Sequence, residues 1–236
     1  LSRLVRAVLA AATLAWALGC SSGSDSGGPV FTPGPGSSSA DSVFLIEDFS
    51  SRQVLPLDNW WNLDISAAPL DPNSDAIIDW ISGRTAQIPG ATRIVHPDFG
   101  PPPYGIPYVG VSGNQARIPV VFSPYGSESD AGAPGQPAGY PIPSEARTQP
   151  GYIEGGVAGG GGSGDRHLIL IDRDRWLLFE TWATRWNSTA GRWEAGSGAV
   201  FDLCSNNRRP EGWTSADAAG LAIFPGLVRH DEVARA

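Results

Sequence analysis

Apolar positions along this chain come mostly in short runs of strand length and alternate with polar ones; few keep a helical period. Such runs lie at residues 43–46, 92–96, 106–111, 117–122, 167–171, 176–182 and 199–203, separated by Gly- and Pro-rich connections. That pattern predicts the short strands of a sandwich or barrel. One helix is expected, with Asp71 as cap, Pro72 in the first turn, Ile77, Ile78 and Ile81 sharing a face, and Gly83 as the stop. A second short helix is expected from Thr214, where Asp217 follows three residues later in a capping-box-like pair. The predicted fold is mainly β: a β-sandwich or jelly-roll-like domain with one or two short helices. Residues 123–164 form a long Pro- and Gly-rich connection, of the kind that is either functional or disordered, and the Gly159–Gly162 tract within it is expected to be mobile.

One hairpin carries candidate chemistry. His167, Ile169 and Ile171 fall on one face of a strand, Leu168 and Leu170 on the other, and Asp172-Arg173-Asp174-Arg175 interrupts. The next strand puts Trp176, Leu178, Glu180 and Trp182 on one face, with Leu177 and Phe179 opposite. With Arg173-Asp174 as a two-residue turn, Ile171 faces Trp176, Ile169 faces Leu178, and His167 faces Glu180. A one-residue slip destroys that pairing. A His–carboxylate pair of this kind can move protons, the carboxylate orienting the imidazole. It can equally be a solvated cross-strand pair, worth under about 1 kcal/mol. Trp176 and Trp182 offer flat apolar platforms on which sugar rings stack.

The front of the chain has a different pattern. Arg3 and Arg6 precede an Ala- and Leu-rich run from Ala7 to Leu18, closed by Gly19-Cys20. This is the basic start, apolar middle and small-residue exit of a secretory signal, and it is too short to span a bilayer. A buried N-terminal helix is the competing explanation, but it leaves unexplained why the apolar run stops at Cys20 and Ser/Gly sequence follows. The Leu18-Gly19-Cys20 exit resembles the lipobox of bacterial lipoproteins, with Ala17 where that box usually has Leu. The resemblance implies lipidation of Cys20, durable membrane anchoring, and, in a Gram-negative host, sorting to the outer membrane because Ser21 follows. The expected organisation is a signal peptide over residues 1–19, a Ser/Gly/Pro tether over 20–40, and a single β-rich domain over 41–236. The chain opens on Leu1 without any methionine, as expected where the first residue is missing, and stops just after a patterned segment, as expected of truncation at the C-terminus.

Charge narrows the function classes. There are 24 acidic residues against 16 basic, all of them arginine, for a formal charge of −8, or −10 once Arg3 and Arg6 leave with the signal. Phosphate binding needs a basic face, so nucleic acid is not an expected partner. There are two cysteines; with Cys20 acylated, Cys204 has no partner and is expected as a buried small hydrophobe rather than a nucleophile. Glu128 and Asp130 in an acidic loop are candidate ligands for calcium, although acidic loops are commonly just solvated. His96 is a further candidate ligand, or a loop-fixing residue bonded to backbone. The nine tryptophans exceed what one core of this size requires, so some are expected half-exposed, as at ligand sites. No P-loop, dinucleotide fingerprint, zinc spacing or Gly-x-Ser-x-Gly elbow occurs.

Several phrases recur together: His96-Pro97-Asp98-Phe99-Gly100 with Tyr104-Gly105-Ile106-Pro107-Tyr108, Glu154-Gly155-Gly156, Gly164-Asp165-Arg166-His167, residues 197–203, and the long run 209–221. From about Asn59 onward the chain resembles a family of secreted bacterial proteins of uncharacterised function that share this motif series. The resemblance implies secretion and architecture rather than mechanism. The expected function is that of a lipid-anchored envelope protein binding polysaccharide through an aromatic sheet face. Two alternatives stand beside it. One is a glycoside hydrolase or polysaccharide lyase using His167, Glu180 or Asp165 for proton transfer, a hydrolase needing two carboxylates across one sugar bond. The other is a structural spacer.

Overall fold

The computed structural model describes residues 43–49, 52–85 and 105–234. Residues 1–42, and with them the signal, the tether and Cys20, lie outside the described residues, as do the run at 92–96 and His96. Within the described residues the chain is mostly strand, in two mixed sheets with a few short helices.

The strands are β1 (Phe44–Leu45), β2 (Tyr108–Val111), β3 (Val120–Phe122), β4 (Leu168–Asp172), β5 (Leu177–Trp182), β6 (Arg185–Asn187), β7 (Arg192–Ala195) and β8 (Ser197–Asp202). The larger sheet has the order β1-β2-β4-β5-β8, and the smaller β3-β7-β6. β2 runs parallel to β4 and β3 parallel to β7, while the other neighbours are antiparallel. The hairpin of β6 and β7 was not legible in the pattern. It is short, and Arg185, Arg192 and Glu194 dilute the apolar signal of Trp186 and Trp193.

The larger sheet is covered on both faces, which explains why β4 reads as a continuous apolar run and is buried throughout. On one face Val109, Val111, Leu168, Leu170 and Phe179 pack with Trp193 of the smaller sheet and with Tyr140, Ile142, Ala146 and Ile153. On the other, Tyr108, Ile169, Ile171 and Leu178 pack against Phe49, Leu55, Trp176, Leu203 and Phe224. Each fully buried aliphatic side chain contributes about 1.5–3 kcal/mol.

The connection at residues 123–164 is thus part of the core, not a loose excursion. It includes the short helix α2 (Glu145–Thr148), and Gly159 and Gly160 are buried rather than mobile. Gly160 sits at φ +69, where a Cβ would run into the Thr184 carbonyl, so only glycine fits there.

The expected helix exists but is displaced toward the C-terminus. α1 spans Ser74–Thr85 and passes through Gly83. Asp71 fixes the turn before it, its carboxylate accepting from Asn73 N at 2.7 Å. Of its expected buried face, Ile77 is exposed and Ile78 only partly buried. No helix forms at Thr214. The Thr214 and Ser215 hydroxyls donate to the Asp217 carbonyl, a local alternative that competes with helix bonding. The last short helix is α3 (His230–Val233). No helix among the described residues is long and apolar enough to cross a membrane.

Candidate functional site

The β4–β5 register differs from the sequence prediction by two residues. Glu180 faces Ile169, Leu178 faces Ile171, and Leu177 faces Asp172. The turn therefore holds four residues, Arg173 to Trp176, rather than two. Asp172 causes this: its Oδ1 accepts the backbone N–H groups of Asp174 and Arg175 at 3.2 and 3.0 Å. Trp176 then takes the left-handed conformation at φ +53. Because the shift is even, the face assignment stands while the direct opposition of His167 and Glu180 does not.

These two side chains have separate partners. His167 Nδ1 lies 2.7 Å from Glu154 Oε2, and Nε2 lies 3.2 Å from the Ala216 carbonyl. Glu154 also accepts from His167 N, while its own N–H donates to the His167 carbonyl at 2.9 Å. Both ring nitrogens are thus engaged, one by a carboxylate and one by a backbone carbonyl. His167 works here as a clamp joining three segments. Its carboxylate partner is Glu154, which the hairpin pattern could not supply; Glu154-Gly155-Gly156 marked the segment without giving a role.

Glu180 is completely buried. Its carboxylate accepts the N–H groups of Ile223, at 2.9 and 3.1 Å, and of Phe224, at 2.8 Å. Burial pushes its pKa up to about 7, against the lowering effect of those two N–H groups. It supports the 223–224 turn from beneath.

A cleft of about 440 Å³ opens beside this clamp. Trp182, Asp165 and His167 line it from the open end of the β4–β5 hairpin, and Tyr125 and Ser197 from neighbouring segments. Thr214, Ser215, Ala216 and Asp217 form the opposing wall. Trp182 is half-buried and donates its indole N–H to Asp165 Oδ1 at 3.1 Å. The Tyr125 ring stands 6.2 Å from that of Trp182, tilted by 58°, and Tyr125 is 42% exposed. Gly196 makes room for Trp182, whose ring occupies the place of a Cβ on that residue. The opposing wall is fixed by Ser197 Oγ donating to the Ser215 carbonyl at 2.6 Å and by Arg209 Nε donating to the Thr214 carbonyl at 2.8 Å.

Arg209 also engages the candidate calcium ligands. Asp130 Oδ2 accepts from Arg209 Nη1 and from Val200 N at 2.9 Å, and Glu128 Oε2 accepts from Thr214 N at 2.8 Å. These carboxylates tie loops together instead of converging on an ion. Among the described residues no group of three or more His, Cys, Asp or Glu side chains is placed to hold a metal.

Trp176, expected as a second platform, is a core residue at 2% exposure. Its Nε1 donates to the Gln53 carbonyl at 3.0 Å, and the Arg52 guanidinium lies 3.7 Å from its ring centroid. Cys204, expected as a buried small hydrophobe, is only partly buried and packs at the edge of the Trp176–Phe224 core. Of the predicted site residues the structure thus gathers Asp165, His167 and Trp182 at one cleft and holds Glu180, Trp176, Glu128 and Asp130 in structural bonds. Tyr125 is the lining residue that sequence pattern missed, its aromatic character being its one signal. No family model matches this chain, nor does any curated protein or solved structure.

Proposed function

We propose that this protein binds polysaccharide in the cleft over Trp182. The observation that carries the reading is an accessible aromatic pair, Trp182 and Tyr125, set above polar groups in an open cleft. Sugar rings present an apolar face and a rim of hydroxyls, so they match flat aromatics bordered by hydrogen-bonding groups. Asp165 and Asp217, with the Thr214 and Ser197 hydroxyls, border this cleft.

Binding is favoured over hydrolysis or lyase chemistry by the state of the candidate acids and bases. Both His167 nitrogens are engaged, and Glu180 lies beneath the 223–224 turn, bonded to backbone. The test is a glycan array probed with the full chain and with Trp182→Ala beside it. Ligands whose signal is lost in the variant support the reading; equal signals in both proteins would remove this cleft as the site.

The wider reading is a lipid-anchored envelope protein, similar to secreted bacterial proteins, whose two sheets form a sandwich presenting this cleft to glycans. Labelling with a palmitate analogue in wild type and Cys20→Ala tests the anchor. Labelling that disappears in the variant supports the anchor, and equal labelling sinks it.

A further inference from the structure

A second cleft, of about 420 Å³, adjoins the aromatic one, and its lining differs in charge. Arg166, Arg185 and Arg192 enter it together with a single carboxylate, Glu194. Three neighbouring pairs of residues divide between the two clefts. Asp165, Trp182 and Ser197 line the first; Arg166, Ala183 and Gly196, a chain neighbour in each case, line the second. The clefts therefore lie on either side of one band of backbone, a single residue step apart.

We propose that this second cleft is an anion subsite, and that the polysaccharide bound over Trp182 is an acidic one whose carboxylate or sulfate groups enter it. The inference rests on the saccharide reading of the Trp182 cleft and names the ligand class.

Three guanidiniums against one carboxylate leave a local surplus of positive charge, in a chain whose formal charge is −8. Glu194 bridges two of them. Its Oε2 accepts from Arg185 at 2.6 and 3.1 Å, and its Oε1 accepts from Arg192 at 3.1 Å and from Asn187 at 2.9 Å. Arg185 and Arg192 still expose 62% and 52% of their side chains, leaving donors of each fork toward solvent. Arg166 donates Nη1 to the Gly164 carbonyl at 2.7 Å and has no carboxylate partner among the described residues. A cross-strand ion ladder on β6 and β7 accounts for Arg185, Arg192 and Glu194 alone. It does not account for Arg166, which arrives from the start of β4. Planar guanidinium forks suit carboxylate and sulfate oxygens, which accept two parallel N–H bonds.

The backbone supports the same division. Arg166 and Ala183 sit at φ +50 and +55, left-handed values that cost a non-glycine residue about 1 kcal/mol or more. They flank the band where the chain crosses from one cleft to the other. Ala183 N donates to the Asp165 carbonyl at 2.7 Å and Thr184 N to the Arg166 carbonyl at 3.2 Å, holding both crossings in place.

The experiment is calorimetric titration of the full chain with four polymers: polygalacturonate, its methyl ester, dextran sulfate and dextran. At low salt each charged polymer is expected to bind at least about 10-fold tighter than its neutral counterpart, with the advantage shrinking as ionic strength rises. The carboxylate and sulfate arms identify which anion is preferred. Arg166→Gln with Arg185→Gln should remove the advantage while leaving neutral-polymer binding intact. Glu194→Gln, which removes the competing carboxylate, should enlarge it. Equal binding of charged and neutral polymers, or indifference to these variants, would overturn the anion subsite and leave the Trp182 site standing. Charged-polymer binding that survives Trp182→Ala unchanged would do the reverse, and no binding to any of the four would remove both.

Discussion

The two ends of the β4–β5 hairpin are built from the same kinds of residue and have opposite fates. The turn end carries Trp176, Asp172 and arginines, while the open end carries Trp182, Asp165 and arginines. At the turn end the tryptophan and the aspartate are covered. Asp172 is fully buried against Arg117 at 2.7 Å, and Trp176 lies under Arg52 with its N–H bonded to backbone. At the open end Asp165 is exposed, Trp182 is half-buried, and the indole N–H bonds a carboxylate that faces solvent. The lesson is that the covering residues, here Phe49 and 52–55, decide whether a Trp–Asp–Arg set is core or cleft.

The sharpest way to break this contrast is to truncate each tryptophan. Trp176→Ala is expected to destabilise the fold by about 3–5 kcal/mol, as measured by urea denaturation. Trp182→Ala should leave the denaturation midpoint nearly unchanged but weaken saccharide binding by about 10-fold or more. If the stability loss falls on Trp182 instead, the assignment of core and cleft is reversed.

Glu180 lies between these ends, and its burial makes a pH-dependent prediction. Its carboxyl pKa rises from 4.5 to about 7 because burial disfavours the charged form. Between those values the folded chain holds a proton that the unfolded chain has lost. Stability therefore falls as pH rises through that window and levels off above it, a contribution of about 3 kcal/mol. Glu180→Gln should remove this slope. A difference between wild type and variant that stays constant from pH 4 to 8 would show that Glu180 does not titrate there.

Smaller effects sharpen the open end. His167→Ala removes the clamp between Glu154 and Ala216 and is expected to cost about 1–2 kcal/mol by the same denaturation. It should not abolish saccharide binding, whereas loss of turnover on a polysaccharide would restore a catalytic role. Gly196→Ala puts a methyl group where the Trp182 ring lies. Saccharide affinity should drop several-fold at nearly unchanged stability; full affinity would mean that the ring position is irrelevant.

What the sequence made legible follows from the same physics. Period-two alternation assigned Leu178 and Glu180 to one face and Phe179 to the other, and the two-sheet, mainly β architecture agrees with the strand pattern. Facing parity survives any even change of register, so it could be read without the turn. The register itself could not be, because the Asp172 side chain captures two backbone N–H groups and lengthens the turn. The partners of His167 were equally hidden. Glu154 and Ala216 are distant in sequence and are joined to it only by tertiary packing. Which tryptophan is covered depends on Phe49 and residues 52–55, whose own pattern gives no hint of where they pack. Composition did carry the surplus of tryptophan, and Trp182 is one of those left accessible.

The most direct test of the Trp182 cleft is a two-dimensional NMR spectrum of the tryptophan indole N–H signals, recorded with and without a bound polysaccharide. Trp182→Phe and Trp176→Phe assign the two signals. The expected result is a large shift of the Trp182 signal, whose N–H now bonds Asp165, and an unmoved Trp176 signal. Saturating ligand that leaves Trp182 in place, or moves Trp176 instead, would contradict a saccharide site at the open end of the hairpin.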